Sequence, residues 1–266
     1  MRILNDYQPG TFDLHMHTTA SDGIYSPKAL VRKAKDCGLR TIAITDHDTL
    51  AGVEEAVSEG KAVGMDVIPG VEISTRYHGK GIDVLGYNIQ DCLGLHNALA
   101  PFREERKTRA RRIIQRFEEL GMPITLEDVK AFSQNGVIAR PHIAKAIVAK
   151  GYVSDVQTVF DRYLADGKPA AVRKEVISTG EAVRWIKEAG GQAVLAHPVL
   201  LHDDNLVKQL LTKGFDGIEV WHRHHRAADV QRYLDMADQY NLLVTGGSDF
   251  HSDEHTLGQF IPDQSE

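Results

Sequence analysis

Short apolar runs that hand over to a histidine or an acidic residue recur along this chain, with helical stretches between them. The runs are 41–45, 66–68 leading into 71–74, 82–87, 193–196, 217–220 and 242–245. Their length and β-branched content read as buried strands. Ser26 before Pro27 is an N-cap followed by a first-turn proline, opening a helix that stops at Gly38. Further amphipathic stretches cover 179–189, ending at Gly190-Gly191, and 227–240. Alternation of this kind implies parallel strands with helical crossovers, so the expected fold class is α/β.

The middle of the chain follows another pattern. From 91 to 176 it is helical, with no run that reads as a strand. Residues 95–120 read as one long helix, broken or started near Pro101 and ended by Gly121. Thr125 and Asp128 have capping-box spacing, and a helix over 142–150 starts after Pro141. The expected organisation is therefore an α/β part over 1–90, an all-α insertion over 91–176 and a second α/β part over 177–266.

A net charge of −6 argues against a general nucleic-acid coat or a binder of anionic membranes. No stretch approaches the roughly 18 apolar residues of a membrane span. The start, with Asp6 and no apolar run, lacks the pattern of a signal peptide. Cys37 and Cys92 have no metal-knuckle spacing and read as free thiols in a reducing compartment. The cytoplasm is the expected location.

The polar residues that close the apolar runs carry the chemistry. His15 and His17 alternate along an extended segment, so both imidazoles point to one side. Asp46-His47-Asp48 follows the run 41–45, and Glu72 follows Pro69-Gly70. His197 follows 193–196, while Asp249 and His251 follow 242–245. Each piece alone has a plainer explanation, as an exposed His-x-His, a loop cap or a turn. Their recurrence at strand ends does not, because the carboxyl edge of parallel strands is where an α/β fold collects its site. Imidazoles mixed with carboxylates suit Mn, Fe or Zn. There are too many ligands for one tetrahedral ion, so two or three ions are expected, with Glu72 as a bridge.

The ordered motifs DLHMH, SDG, TDHD, PGVE, AHP and GSDFH resemble the PHP (polymerase and histidinol phosphatase) family over nearly the whole chain. The resemblance is to stand-alone bacterial members that hydrolyse nucleoside 3′,5′-bisphosphates and short oligonucleotides. It implies a distorted (β/α)7 barrel with a trinuclear metal site at its C-terminal mouth, Mn being the first choice of ion. It further implies His15, His17, Glu72 and Asp249 around one ion, and Asp22, His47 and His251 around a second. A third ion would share Glu72 and use His197 with a histidine from the next strand. This chain departs there, reading Ile82-Asp83-Val84-Leu85-Gly86-Tyr87, so Asp83 either ligates through a shorter arm or leaves the third ion weak or absent. His78 in the preceding turn reads as solvated.

The expected chemistry is hydrolysis of a phosphate ester, with hydroxide generated from a bridging water and ions that neutralise the phosphoryl oxygens. Glu72 is central to it. Asp48 would orient a ligand or bind substrate, and His222, after the run 217–220, would give a proton to the leaving group. The cations crowding 103–116 read mostly as a solvated helix face. Among them Arg106 and Arg109, three apart, would grip a second phosphate. The resemblance places Arg140, in ARPHIA, near the scissile phosphate, and Lys168 is a further cation for substrate. His142 either contacts substrate or caps its helix, and the rest of 221–225 reads as a hydrated loop. The expected partner is a small phosphorylated substrate, a nucleotide or short RNA, with no stable nucleic-acid complex. Competing readings are a cyclic phosphodiesterase, a sugar-phosphate phosphatase, an amidohydrolase and a non-catalytic metal-binding module.

Overall fold

The computed structural model describes residues 10–133, 138–165, 167–172 and 177–260. Two compact units divide the chain, Met1–Ala98 with Val176–Glu266, and Leu99–Glu175. In chain order the first unit opens with β1 (Phe12–Asp13), α1 (Pro27–Asp36), β2 (Thr41–Ile44), α2 (Val53–Val63), β3 (Asp66–Tyr77), β4 (Lys80–Tyr87) and α3 (Cys92–Ala98). The second unit holds α4 (Ala100–Glu119), α5 (Leu126–Lys130), α6 (Arg140–Ala149) and α7 (Val156–Val159). The first unit resumes with α8 (Thr179–Glu188), β5 (Gln192–Leu195), α9 (Asp204–Leu211), β6 (Gly217–His222), α10 (Ala227–Gln239) and β7 (Leu243–Gly247).

The seven strands neighbour one another in sequence order, and the sheet curls until its two edges meet. Leu14 N donates to Gly246 O at 3.2 Å and His17 N to Phe250 O at 2.9 Å. The result is a nearly closed barrel. One apolar cluster draws on all of its strands: Phe12, Ala43, Ile68, Leu85, Tyr87 and Val194, with Trp221 and Leu243 packed against it. A second cluster, including Leu30, Val31, Ile42, Ile44 and Ala56, seats α1 and α2 on the outside of the sheet. Ser26 caps α1 as the sequence predicts, its hydroxyl accepting from Ala29 N at 3.2 Å.

The expectation of parallel pairing fails at β4. It runs antiparallel to both β3 and β5, while β1–β2, β2–β3, β5–β6 and β6–β7 are parallel. The cause is the turn between Tyr77 and Lys80. His78 and Gly79 have φ of 47° and 83°, the conformation of a two-residue hairpin turn whose twist matches that of paired strands. Two residues leave no room for a crossover helix. Glu72 is therefore not at a strand end. It sits midway along β3, level with His47 just past the end of β2.

In the second unit, a break at Leu99 separates α4 from α3, where the pattern over 95–120 reads as one helix. Pro101 lies in the first turn of α4, where its missing N–H costs nothing. Thr125 and Asp128 form the expected capping box. The helices share a core of their own, including Ile113, Phe117, Val129, Ile143, Ile147 and Val159. Among the described residues no helix is long and apolar enough to cross a membrane.

Candidate metal centre

The barrel closure aims His15 and His17 at one region. Their ring centroids are 5.3 Å apart, and His17 stacks on His251 at 4.0 Å. Asp22 arrives on a turn held by Asp46, which is buried and accepts from Thr18 N and Thr18 Oγ1 at 2.7 Å each and from Ser21 Oγ at 2.5 Å. The turn folds tightly onto β1's extension: a β-carbon on Gly23 would lie 2.1 Å from the carbonyl oxygen of His17. Asp13 anchors the opposite edge by accepting from Ser248 N, Ser248 Oγ and Gly258 N, which places Asp249 and His251. Burial pushes the Asp13 carboxyl up to about 6.

Three groups of ligand atoms result, each gathered within 4.8 Å. The first comprises His15, His17, Glu72 and Asp249. His17 Nε2 lies 3.3 Å from Glu72 Oε2 and 3.2 Å from Asp249 Oδ1; His15 Nε2 lies 3.4 and 3.6 Å from the same oxygens. The second comprises His17, Asp22, His47 and His251, with His251 Nε2 3.3 Å from Asp22 Oδ1. The third comprises Glu72, Asp83 and His197, with His197 Nε2 3.1 Å from Glu72 Oε1 and 3.9 Å from Asp83 Oδ2. Glu72 is common to two of them, its Oε2 also lying 3.0 Å from His47 Nδ1.

These residues fit a metal centre. His15 Nε2, both ring nitrogens of His17, Asp22 Oδ1 and Glu72 Oε2 are buried and make no hydrogen bond. Such an atom ordinarily costs about 1–3 kcal/mol. Several together, imidazole nitrogens facing carboxylate oxygens, are what a borderline transition-metal ion satisfies. Without an ion, burial would raise the Glu72 and Asp249 carboxyls, but the surrounding imidazoles hold both well below the usual range. Burial, with His251 and His47 alongside, pushes His17 down to about 3. Three residues here adopt the left-handed region without being glycine: Asp48, His197 and Asp249, at φ 54°, 25° and 52°. Backbone strain of this kind gathers at functional sites.

Asp48 is buried beside the cluster, and its Oδ1 accepts from Ser74 N at 2.9 Å while its N–H donates to Glu72 O at 2.8 Å. It braces β3 at Glu72 itself and two residues beyond it, at Ser74. The hydrated loop expected over 221–225 is instead partly interior, since His222 and His225 are buried. A bulge between Glu219 and Trp221 adds one residue to β6 against β7. It turns Glu219 and His222, three apart, to the same side, and both join His15 in a further group. His222 Nε2 lies 3.7 Å from Asp249 Oδ2.

Of the expected substrate cations, Arg140 Nη1 donates to Leu164 O at 3.4 Å and Arg109 Nε to Val172 O at 2.9 Å. Lys168 is exposed in a turn. The side chain of Arg106 lies outside the described residues. His142 caps α6, its Nδ1 accepting from Ala139 N at 3.2 Å. Sequence reasoning passed over Glu219 and Arg223. The first is fully buried against His15; the second donates to Asp249 Oδ2 at 2.8 Å and to the carbonyl oxygens of Ser248 and Asp249. A lone carboxylate inside the apolar run 217–220 was the available signal for Glu219; Arg223 had none.

The family model described as PHP domain matches residues 13–165. A 5′-3′ exoribonuclease from Haemophilus influenzae is 37% identical over 246 residues, covering 90% of this chain and 89% of that protein. A 3′,5′-nucleoside bisphosphate phosphatase from Chromobacterium violaceum is 33% identical over 249 residues, covering 90% and 87%. Among solved structures, a protein from Bifidobacterium adolescentis assigned as a metal-dependent phosphoesterase superposes with a TM-score of 0.81 at 32% identity, covering 97% of this chain and 94% of that one. By this match and these identities, the chain belongs to the PHP domain family.

Proposed function

We infer that this protein hydrolyses phosphate esters of nucleotides at a centre of divalent transition-metal ions held by His15, His17, Asp22, His47, Glu72, His197, Asp249 and His251. The observation that carries this reading is Glu72. Its two carboxylate oxygens face different imidazoles, His15, His17 and His47 on one side and His197 on the other, as a bridging ligand requires. Bound ions supply charge neutralisation for the phosphoryl oxygens and a water of lowered pKa.

The chain's own groups would orient and donate hydrogen bonds. Asp48 holds Glu72 by bracing β3. His222 is proposed to assist the leaving oxygen with a hydrogen bond: His224 N–H donates to its Nδ1 at 3.3 Å, so the neutral ring carries its proton on Nε2 and presents it as a donor. Arg140, Arg106, Arg109 and Lys168 are proposed to bind substrate phosphates, with 91–176 as a helical insertion in the chain between barrel parts 1–90 and 177–266. Nucleoside 3′,5′-bisphosphates or short RNAs are the proposed substrates, on the strength of the relatives' names. Manganese is the proposed ion, with three per chain if Asp83 ligates and two if it does not. A cytoplasmic location belongs to the same proposal, in keeping with Cys37 and Cys92 as free thiols.

The test is a phosphate-release screen with Mn over nucleoside bisphosphates, cyclic phosphates, sugar phosphates and 5′-phosphorylated short RNAs. Turnover of nucleotide substrates that EDTA abolishes is expected, with KM raised by Arg140→Ala. Metal-independent turnover, or activity confined to sugar phosphates, would overturn the reading.

A further inference from the structure

Glu219 is a fully buried carboxylate with both oxygens committed. Oε1 lies 3.1 Å from His15 Nδ1, and Oε2 accepts from His197 N at 2.7 Å. An ionised carboxylate only accepts hydrogen bonds. The neutral His15 ring must then carry its proton on Nδ1, which leaves the lone pair of Nε2 directed at Glu72 and Asp249, 3.4 and 3.6 Å away. The other oxygen grips the backbone of His197 at φ 25°, a conformation a β-substituted residue rarely holds unaided.

His222, whose ring centroid is 6.1 Å from that of His15, has the opposite arrangement. Its Nδ1 accepts from a backbone N–H, so its Nε2 is a donor and not a ligand. Adjacent imidazoles are thus sorted into opposite roles by what lies behind them. The bulge in β6 makes this possible, since without the added residue Glu219 and His222 would point to opposite faces.

We propose that Glu219 is a positioning residue of the metal centre: it selects the ligating tautomer of His15 and holds the backbone of His197, aligning ligands of two ions at once. This rests on the metal-centre reading given above. Partners behind a metal-bound imidazole commonly tune affinity by about 10–100-fold.

Glu219→Gln is the discriminating variant, because both contacts require an acceptor and an amide supplies one. Whichever way it turns, its NH2 faces either His15 Nδ1–H or His197 N–H. Metal per chain and Mn affinity, measured on the full-length protein after EDTA treatment and reloading, should fall by about tenfold or more. Circular dichroism of the metal-free variant should show the fold retained, and rescue of Mn affinity by Glu219→Asp in part, but not by Glu219→Gln, is what a merely structural role would not give. Wild-type protein that takes up no Mn defeats the metal-centre reading itself. Wild-type uptake matched by Glu219→Gln defeats only the role of Glu219. Should the variant not fold, histidine-ring 15N spectra of the wild type reloaded with diamagnetic Zn decide: a proton on His15 Nδ1 is expected, and one on Nε2 overturns the proposal.

Discussion

Gly247 backs directly onto His15. A β-carbon at Gly247 would lie 2.4 Å from both the Cβ and the backbone nitrogen of His15, far inside contact distance. The last strand of the barrel can therefore approach the first only where a side chain is missing, and the residue it approaches is His15, a proposed metal ligand. Gly247→Ala should cost about 1–3 kcal/mol of stability and, unlike an ordinary packing defect, also lower metal uptake. Gly180→Ala in α8, where nothing lies within 4 Å, is the control and should be neutral or stabilising. Thermal melts with metal analysis separate the two. Full metal loading in a folded Gly247→Ala protein would uncouple closure from the site.

Arg223 pins the other side of the rim. Its guanidinium engages the Asp249 carboxylate and two carbonyl oxygens, holding Asp249 at φ 52°. Arg223→Ala should destabilise by about 1.5 kcal/mol, the low end for a charge-assisted bond because the side chain is partly exposed. Mn should also dissociate faster. Arg223→Lys, which lacks the planar fork, should recover part of the loss at most.

Glu72→Gln keeps the size of the side chain and removes the charge shared among the imidazoles. Phosphate release should drop by on the order of 10²-fold or more, while circular dichroism shows the fold intact. Activity near the wild-type level would rule Glu72 out as a bridge.

Asp83 approaches His197 Nε2 only to 3.9 Å. Asp83→His, with its longer arm, should raise the number of ions bound per chain or shift substrate preference. Unchanged metal content and unchanged preference together would place the residue outside the coordination sphere.

Metal binding should release protons. Burial alone would lower the His197 imidazole, but Glu72 foremost, with Asp83 and Glu219, holds it up at about 9. At neutral pH the metal-free protein carries a proton there that an ion must displace. Apparent Mn affinity should therefore rise with pH from neutral up to about 9, where His197 gives up its proton. His17, held at about 3, has no proton to release at neutral pH. Calorimetric titrations in buffers of different ionisation enthalpy count the protons, and none released would contradict the assignment.

The alternation of apolar runs with helices, the cap at Ser26 and the box at Thr125 were legible in the chain because they depend on neighbours a few residues away. So were most of the residues that the structure gathers around Glu72, since a histidine or carboxylate at the end of a buried strand has only one edge of the sheet to face. Tertiary structure decided the rest. A positive φ at His78 and Gly79 reversed β4, and an added residue at the β6 bulge turned Glu219 inward to His15. Neither a strand's direction nor its register against a partner is written in its own residues, because both are set by backbone hydrogen bonds to strands far along the chain.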